Sequence, residues 1–210
     1  MTAAAPSATL IAALERSRQL GFLGPGPASD HIGHAERYQA AVAEFRRHHR
    51  LTTVRGIDLG AGGGVPALPL LVDDPRLELV LVDASQKRMS FCAWAIAELG
   101  LGDRAEVWTG RAESFAHDPT RRGAYDIVVA RGFGPPAITV ECAAALLRTD
   151  GWCVISEPPE RRPWPDEVPE LGLVRRDGLD GVAVYVRVGA VEERFPRPSN
   201  LQKRAPLFAL

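Results

Sequence analysis

The residues best suited to bind a ligand lie in one glycine-rich segment. Asp58 is followed at alternate positions by Gly60, Gly62 and Gly64, and the segment joins an apolar run to a helical pattern. Glycines at such a turn let a ligand approach the backbone closely, and the following helix presents free amide groups at its N-terminus. A tight turn alone would not need so many glycines, so the segment predicts a ligand-binding loop.

Two classes of ligand use a loop of this kind, dinucleotides and S-adenosylmethionine (SAM). The dinucleotide pattern G-x-G-x-x-G fails from Gly60, because Val65 stands where the third glycine should be. A shifted frame fits the looser pattern that ends in alanine, but it leaves Asp58 without a role. An acid followed by three alternate glycines is the pattern expected for SAM, so we interpret Asp58, Gly60, Gly62 and Gly64 as residues that bind this cofactor.

A second acidic residue, Asp83, ends the next apolar run. It follows Gly60 by 23 positions, close to the spacing of an acid that binds ribose hydroxyls in nucleotide-binding folds. The alternative is that Asp83 caps the next helix, which is predicted to begin at Ser85. Because Asp83 comes after a glycine loop, we expect it to bind the ribose of SAM.

Alternating strands and helices are predicted to carry these residues. Helices are predicted over residues 9–20, 31–49 (with Asp30 as the N-cap), within 65–74, and over 85–99 and 135–147; strands are predicted over 54–60, 77–83, 104–110, 124–131 and 151–157. Residues 171–190 contain two β-like runs separated by Asp-Gly pairs, which indicate a closing antiparallel pair.

This layout predicts the α/β, Rossmann-like fold of class I SAM-dependent methyltransferases. The sheet is expected to be mostly parallel and seven-stranded, with helices on both faces. Residues 1–50 are expected to form an N-terminal helical extension and residues 51–210 the SAM-binding methyltransferase domain, together a single domain.

Composition sets limits on the partners of the chain. The 210 residues are 46% hydrophobic and carry a net charge of −1, so contact with RNA would need a local basic patch. Without a signal-peptide pattern or a membrane-length apolar run, we expect a cytoplasmic monomer with no membrane partner. The dispersed Cys92, Cys142 and Cys153 predict buried free thiols and no metal site.

Four segments resemble the bacterial small-subunit ribosomal RNA guanine-N7 methyltransferases of the glucose-inhibited division protein B type. The loop DLGAGGGVPALP resembles the family's D-x-G-[ST]-G-x-G-[LI]-P-G-[IL]-P, and residues 110–113 and 129–132 resemble its later Arg-x-Glu and Ser-Arg-Ala blocks. The tail EERFPRPSNLQKRAPLF resembles the family's K-Y-P-R-K-x-G-x-P-x-K-x-P-L. The resemblance extends from about Asp30 to Leu207.

The resemblance implies a function and a set of contacts. Gly60 and Val65 would contact SAM from the loop, Ala112 and Glu113 would flank its adenine, and Arg131 would lie near both cofactor and acceptor. A simple surface charge is the alternative for Arg131. The implied reaction is methylation of a guanine N7, with ribosomal RNA or the small ribosomal subunit as partner.

Departures from the family pattern concern the acceptor. His31 is kept in the helical extension, but Asp30 stands in place of the family's Arg, and His34 in place of its Asp or Asn. After the fifth strand, Glu157 follows Ser156 where the family has Lys-Gly, and an acid there would repel a phosphate backbone. A diverged methyltransferase acting on a small molecule or a protein is therefore the alternative function, and a non-catalytic nucleotide-binding module is less favoured.

No catalytic residue is predicted, because guanine N7 already has a lone pair and needs no general base. For a hydroxyl or protonated amine, His31, His34 or Glu157 would be the candidates. Residues 46–50 and the proline-extended tail are basic and either contact phosphate or are solvated. Residues 161–165 are predicted to cover either the acceptor site or the sheet. The predicted substrate-binding residues are Arg131, His31, Glu157, Arg197 and Lys203.

Overall fold

The computed structural model describes residues 7–158, 160 and 163–209. Its strands are β1 (Val54–Leu59), β2 (Leu77–Asp83), β3 (Ala105–Thr109), β4 (Tyr125–Ala130), β5 (Leu147–Ser156), β6 (Glu167–Val168), β7 (Leu173–Arg176) and β8 (Val182–Arg187). Its α-helices are α1 (Ala8–Gln19), α2 (Ala28–His49), α3 (Ala67–Asp73), α4 (Gln86–Glu98), α5 (Ala112–His117), α6 (Pro136–Leu146) and α7 (Ser199–Arg204).

The strands form one sheet in the order β3-β2-β1-β4-β5-β8-β7-β6. Strands β1 to β5 are parallel, and β8, β7 and β6 are antiparallel to their neighbours. The predicted parallel sheet and closing antiparallel pair are confirmed, but the predicted count of seven strands is wrong. The additional strand is β6, which has only two residues and lies at the edge of the sheet. Two residues are too few to show the alternation that predicts a strand.

The order of the strands reverses between β1 and β4, and this reversal positions the predicted site. Chain connections from β1 lead to β2 and β3 on one side, whereas β4 and β5 lie on the other. Ligands of open α/β sheets bind outside the carboxyl ends of the strands at such a switch point. Gly60 and Arg131 follow β1 and β4, Asp83 ends β2, and Gly110 follows β3, so all four residues lie at this edge.

Both faces of the sheet are covered. The helices α1, α2, α3 and α4 contribute to one core cluster, and α5 and α6 contribute to a second cluster with Phe195 of the tail. The buried face of α1 consists of Leu10, Ala13, Leu14 and Ser17. The N-terminal helices therefore pack in the same core as the sheet.

The start of α2 differs from the prediction. The helix begins at Ala28 with Pro27 at the N-cap, so Asp30 lies in the first turn and is not the N-cap. The backbone amide of Ala28 donates to Glu15 Oε1 at 3.1 Å, across from α1. The first amide of α2 is therefore hydrogen-bonded by a side chain of another helix, and a local sequence pattern could not predict this bond. Asp30 is still well placed, because a carboxylate near a helix N-terminus interacts favourably with the helix dipole.

Two short helices were missed. Helix α5 has six residues, and α7 replaces the extended conformation predicted for the end of the tail. Gln202 of α7 is fully buried and its Nε2 lies 3.8 Å from Cys142 Sγ on α6, so packing on α6 accompanies helix formation.

Cys92, Cys142 and Cys153 are free and buried, as predicted. None of the described helices has the length and apolar character needed to cross a membrane.

Candidate functional site

A cavity of about 300 Å³ opens at the carboxyl ends of β1 to β4. We call it the glycine-loop cavity, because the turn after β1 forms one of its walls. Its lining combines backbone amides, acids, bases and a few apolar side chains: Gly60, Val82, Asp83, Ala84, Arg88, Gly110, Arg111, Ala112, Glu113, Gly132, Phe133, Gly134, Pro135, Ile138, Ser199 and Lys203.

The glycine loop has a backbone conformation that favours glycine. The φ angles of Gly60, Gly62 and Gly64 are 71°, 53° and 89°, in the left-handed region that costs other residues energy. A Cβ atom on Gly60 would lie 2.8 Å from Cδ2 of Phe133. Gly60 thus combines a special backbone angle with close packing against the loop that follows β4.

Asp83 connects the end of β2 to the glycine loop. Its Oδ2 accepts a hydrogen bond from the Gly62 amide at 3.1 Å, and its Oδ1 accepts one from the Ser85 amide at 2.8 Å. Ser85, rather than Asp83, is the N-cap of α4. The Arg88 guanidinium lies 3.8 Å from Asp83. The carboxylate lines the cavity and has remaining lone pairs that can accept hydroxyl groups.

Asp58 lies beneath the loop and is completely buried. Its Oδ2 accepts a hydrogen bond from the Ala67 amide at 3.2 Å, whereas its Oδ1 has no hydrogen-bond partner in the described part of the chain. Burial raises the pKa of Asp58 to about 7, although the Ala67 amide and the charge of Arg131 oppose that rise. An unpartnered buried acceptor of this kind is costly unless a donor or a positive charge approaches it.

The turn between β3 and α5 also lines the glycine-loop cavity. Ala112 and Glu113, which are predicted to flank the adenine, begin α5 and line the cavity. Arg111 is the N-cap of α5, and its guanidinium lies 3.3 Å from the Glu113 carboxylate. Gly64 and Val65 are not among the lining residues; Val65 is buried where the loop enters α3.

A second cavity of about 270 Å³ adjoins the first. We call it the Glu157 cavity. Gly132, Phe133 and Gly134 line both cavities and so form a common wall. The remaining lining residues of the Glu157 cavity are His34, Ala130, Pro136, Thr139, Ile155, Ser156, Glu157 and Pro158.

Within the described residues, no three His, Cys, Asp or Glu side chains are grouped as metal ligands.

Glu157 is held by its neighbours. It is buried, its backbone amide donates to Gly181 O at 3.0 Å, and its Oε1 accepts a hydrogen bond from Trp164 Nε1. Trp164 packs edge-on against Tyr185, with ring centroids 6.0 Å apart. Trp164 belongs to the segment 161–165, whose residues Arg161 and Arg162 lie outside the described residues. The described part of this segment packs on the sheet beside the cavity.

Arg131 is close to both cavities but lines neither of them. Its Nη1 lies 3.5 Å from His31 Nδ1, and His31 Nε2 lies 3.3 Å from Gly24 O. The tautomer with a proton on Nε2 satisfies both contacts of His31. Burial lowers the pKa of Arg131, whereas the charge of Asp58 opposes that change. The positive charge of Arg131 therefore interacts with the Asp58 carboxyl group beneath the glycine loop.

His34 and His31 differ in position. His34 lines the Glu157 cavity, whereas His31 is buried behind it. Burial against the protein, followed by the charges of Arg37 and Arg131, lowers the pKa of His34, so the imidazole is neutral at physiological pH. Of the two, His34 is the one that could contact an acceptor.

The basic residues of the tail separate into two groups. Lys203, predicted to bind substrate, lines the glycine-loop cavity and does not line the Glu157 cavity. Arg197 binds the buried carboxylate of Glu141, with Nη2 2.7 Å from Oε2 and Nε 2.9 Å from Oε1. This paired geometry favours a role for Arg197 in fastening the tail to α6.

The basic residues 46–50 lie at the opposite edge of the sheet. They end α2, next to the start of β1, whereas both cavities lie beyond the carboxyl ends of the strands. Arg46 is buried and pairs with Asp74, and Arg47 pairs with Glu44. This arrangement separates the cluster from the candidate site.

Several lining residues were not predicted from the sequence. Phe133 lies between Gly132 and Gly134 directly after β4, and an aromatic residue flanked by glycines at a strand end was a signal that could have identified it. Arg88 lies in the first turn of α4, three residues after Ser85. Thr139, Ile138 and Ser199 offered no such local signal.

Comparisons with known proteins agree with this geometry. A family model described as rRNA small subunit methyltransferase G matches residues 35–157. The ribosomal RNA small subunit methyltransferase G of Thermoanaerobacter sp. is 26% identical over 84% of this chain and 90% of that protein. The protein of that name from Gloeobacter violaceus is 31% identical over 80% of this chain and 76% of its own length. A methyltransferase structure from Geobacter sulfurreducens has a TM-score of 0.61 and 15% identity over 88% of this chain and 93% of that one, a likeness in fold.

Proposed function

The chain belongs to the rRNA small subunit methyltransferase G family, and on that premise we propose that it transfers a methyl group from SAM to N7 of a guanine in small-subunit ribosomal RNA. The observation that supports this most strongly is the adjacency of the two cavities. Gly132, Phe133 and Gly134 line both cavities, so a donor in one cavity and an acceptor in the other would lie next to each other at these shared residues.

The residues around the glycine-loop cavity fit SAM. Asp83 and Glu113 offer carboxylate acceptors to the ribose and adenine, and Ala112 offers an apolar contact. The α-ammonium group of SAM would supply a donor for Asp58 Oδ1, which has no hydrogen-bond partner among the described residues. Gly60 leaves room for close approach of the ligand to the backbone. In this proposal Gly62, Gly64 and Val65 give the loop its conformation. Arg131 contributes a positive electrostatic potential near the donor and the acceptor.

Methyl transfer to guanine N7 makes modest demands on the protein. Bound SAM supplies a methyl group on a positively charged sulfonium centre. Because guanine N7 already has a lone pair, no side chain would have to remove a proton from the acceptor. The residues of the chain act by holding the two reactants in line, a contribution that can reach about 7–11 kcal/mol. Apolar lining residues such as Val82, Ile138 and Phe133 exclude water from the reacting groups.

Transfer of a labelled methyl group from SAM to small ribosomal subunits lacking the guanine-N7 modification tests the proposed function. We expect incorporation at a single guanine, because the subunits used as substrate lack only that modification. Intact subunits and naked RNA, assayed in parallel, would distinguish the form of the substrate. SAM binding by calorimetry without incorporation into either would contradict the RNA substrate and favour a small-molecule or protein acceptor. Absence of SAM binding would contradict methyl transfer altogether.

Asp83→Ala is expected to weaken SAM binding by about 1–3 kcal/mol, because the ribose hydroxyls would lose a charged acceptor. The Gly62 amide would lose its partner in the free protein as well as in the complex. Calorimetry with SAM measures the change. Asp103→Ala is the control, since Asp103 is exposed at the opposite edge of the sheet. Wild-type affinity in Asp83→Ala would exclude the role of Asp83 in binding the ribose.

A further inference from the structure

The Glu157 cavity has the features of a site for a single base. We propose that it receives the acceptor guanine and that Glu157 selects this base by accepting hydrogen bonds from the N1–H and 2-amino groups. This inference rests on the proposed function, since it assigns the acceptor side of that reaction. Glu157 would then have a function, although it is an acidic residue at a position where an RNA-binding protein would be expected to have a basic residue.

The size and charge of the cavity favour a base over a phosphate. Its volume of about 270 Å³ is just below the range of about 300–1,000 Å³ for sites that take drug-sized ligands. Glu157 is acidic, and among the described residues no Lys or Arg lines this cavity; Arg131, which precedes Gly132, does not line it. A phosphate would be repelled there, whereas a base with N–H donors would be attracted.

The position of Glu157 fits the orientation that N7 transfer requires. Glu157 lines its own cavity but not the glycine-loop cavity, whereas Phe133 lines both. Guanine carries N7 on one edge and its 2-amino group on another. A guanine with N7 towards the common wall would therefore direct its N1 and 2-amino edge away from the donor, which is where Glu157 lies.

Neighbouring side chains keep the Glu157 carboxylate in a fixed orientation. Trp164 Nε1 donates to Oε1, and Trp164 is itself buried against Tyr185, whose hydroxyl donates to Pro165 O at 2.6 Å. A carboxylate has about four acceptor positions, and Trp164 occupies one. Because the group is already ordered, little conformational entropy is lost when it binds a base.

Phe133 supplies the second element of a base site. Its side chain is half-buried in the common wall, between two glycines that leave its surroundings open. Stacking of a base on an aromatic side chain is worth about 1–3 kcal/mol and does not depend on which base is bound. Phe133 would thus contribute affinity, and Glu157 would contribute the preference for guanine.

Binding of free nucleotides tests this assignment without relying on catalysis. Guanosine, inosine and adenosine 5′-monophosphates would be titrated by calorimetry into the protein saturated with S-adenosylhomocysteine. We expect guanosine monophosphate to bind about 10-fold more tightly than inosine monophosphate, which lacks the 2-amino group. Glu157→Gln should abolish this preference, and Glu167→Gln, an exposed acid on β6, should keep it. Thermal unfolding would verify that both variants are folded.

The outcomes separate this inference from the proposed function. Equal binding of guanosine and inosine monophosphates by the wild-type protein, no binding of either, or a preference retained in Glu157→Gln would overturn the assignment. Methylation of ribosomal RNA together with any of these results would leave the proposed function intact. A guanine preference that depends on Glu157, without methylation of RNA, would support the base site and contradict the ribosomal substrate.

Discussion

Asp58→Asn is expected to stabilise the free protein above pH 7 and to weaken its binding of SAM. The pKa of Asp58 is raised from 3.8 to about 7, chiefly by burial. Between about pH 4 and pH 7 the folded protein therefore binds more protons than the unfolded chain, so the free energy of unfolding falls as the pH rises. This single group would account for a loss of about 4 kcal/mol across that interval. Asparagine is neutral and removes the loss.

The same substitution should lower the affinity for SAM about 10- to 100-fold at pH 8, because the ammonium group would lose a buried negative charge. In the wild-type protein, SAM affinity should rise with pH up to about pH 7 and then level off, as the Asp58 carboxyl loses its proton. In Asp58→Asn this rise should be absent. Stability and ligand binding would thus respond in opposite directions.

Urea unfolding from pH 4 to pH 8 and calorimetry with SAM at the same pH values measure the two effects. Asp103→Asn serves as the control, since Asp103 is exposed and far from the loop; it should follow the wild-type curves. Unfolding free energies of wild type and Asp58→Asn that run parallel over this interval would refute the raised pKa. Unchanged SAM affinity would refute the role in binding.

Much of the donor side of the site could be predicted from sequence because it depends on local patterns. The glycine loop and Asp83 are recognisable since each follows an apolar strand directly, and the parallel sheet then brings the strand ends together. The predicted family is confirmed, and so is the predicted methyltransferase fold apart from the extra strand β6. The roles of the individual residues remain predictions.

The acceptor side could be predicted less well because it depends on contacts between distant segments. Glu157 was a candidate, but its partner Trp164 follows a proline-rich stretch without a periodic pattern. The pairing of Arg197 with Glu141 spans 56 positions and could not be inferred from the charges of the tail. The capping of α2 by Glu15 is a further example, since the donor and the acceptor lie on different helices.

Gly60→Ala is expected to reduce methyl transfer about 10-fold, less than the roughly 100-fold that a displacement of about 1 Å can cause. The new methyl group would lie 2.8 Å from the Cδ2 atom of Phe133 and 3.2 Å from its backbone α-carbon. A side-chain rotation of Phe133 can relieve the contact with Cδ2 but not the contact with the α-carbon, so the main chain on one side of the common wall has to shift by a few tenths of an ångström. Because Phe133 lines both cavities, the displacement would disturb donor and acceptor together.

Gly100→Ala separates this packing effect from backbone strain. Gly100 has a φ of 65°, close to the 71° of Gly60, but a Cβ there would meet nothing within 4 Å. Both variants should lose about 1–2 kcal/mol of unfolding free energy from the left-handed conformation, and Gly60→Ala should lose about 1–3 kcal/mol more from overpacking. Urea unfolding and labelled methyl transfer measure these effects. Equal activity in the two variants would mean that packing between Gly60 and Phe133 does not position the reactants, whereas loss confined to Gly60→Ala would locate that function in the wall between the cavities.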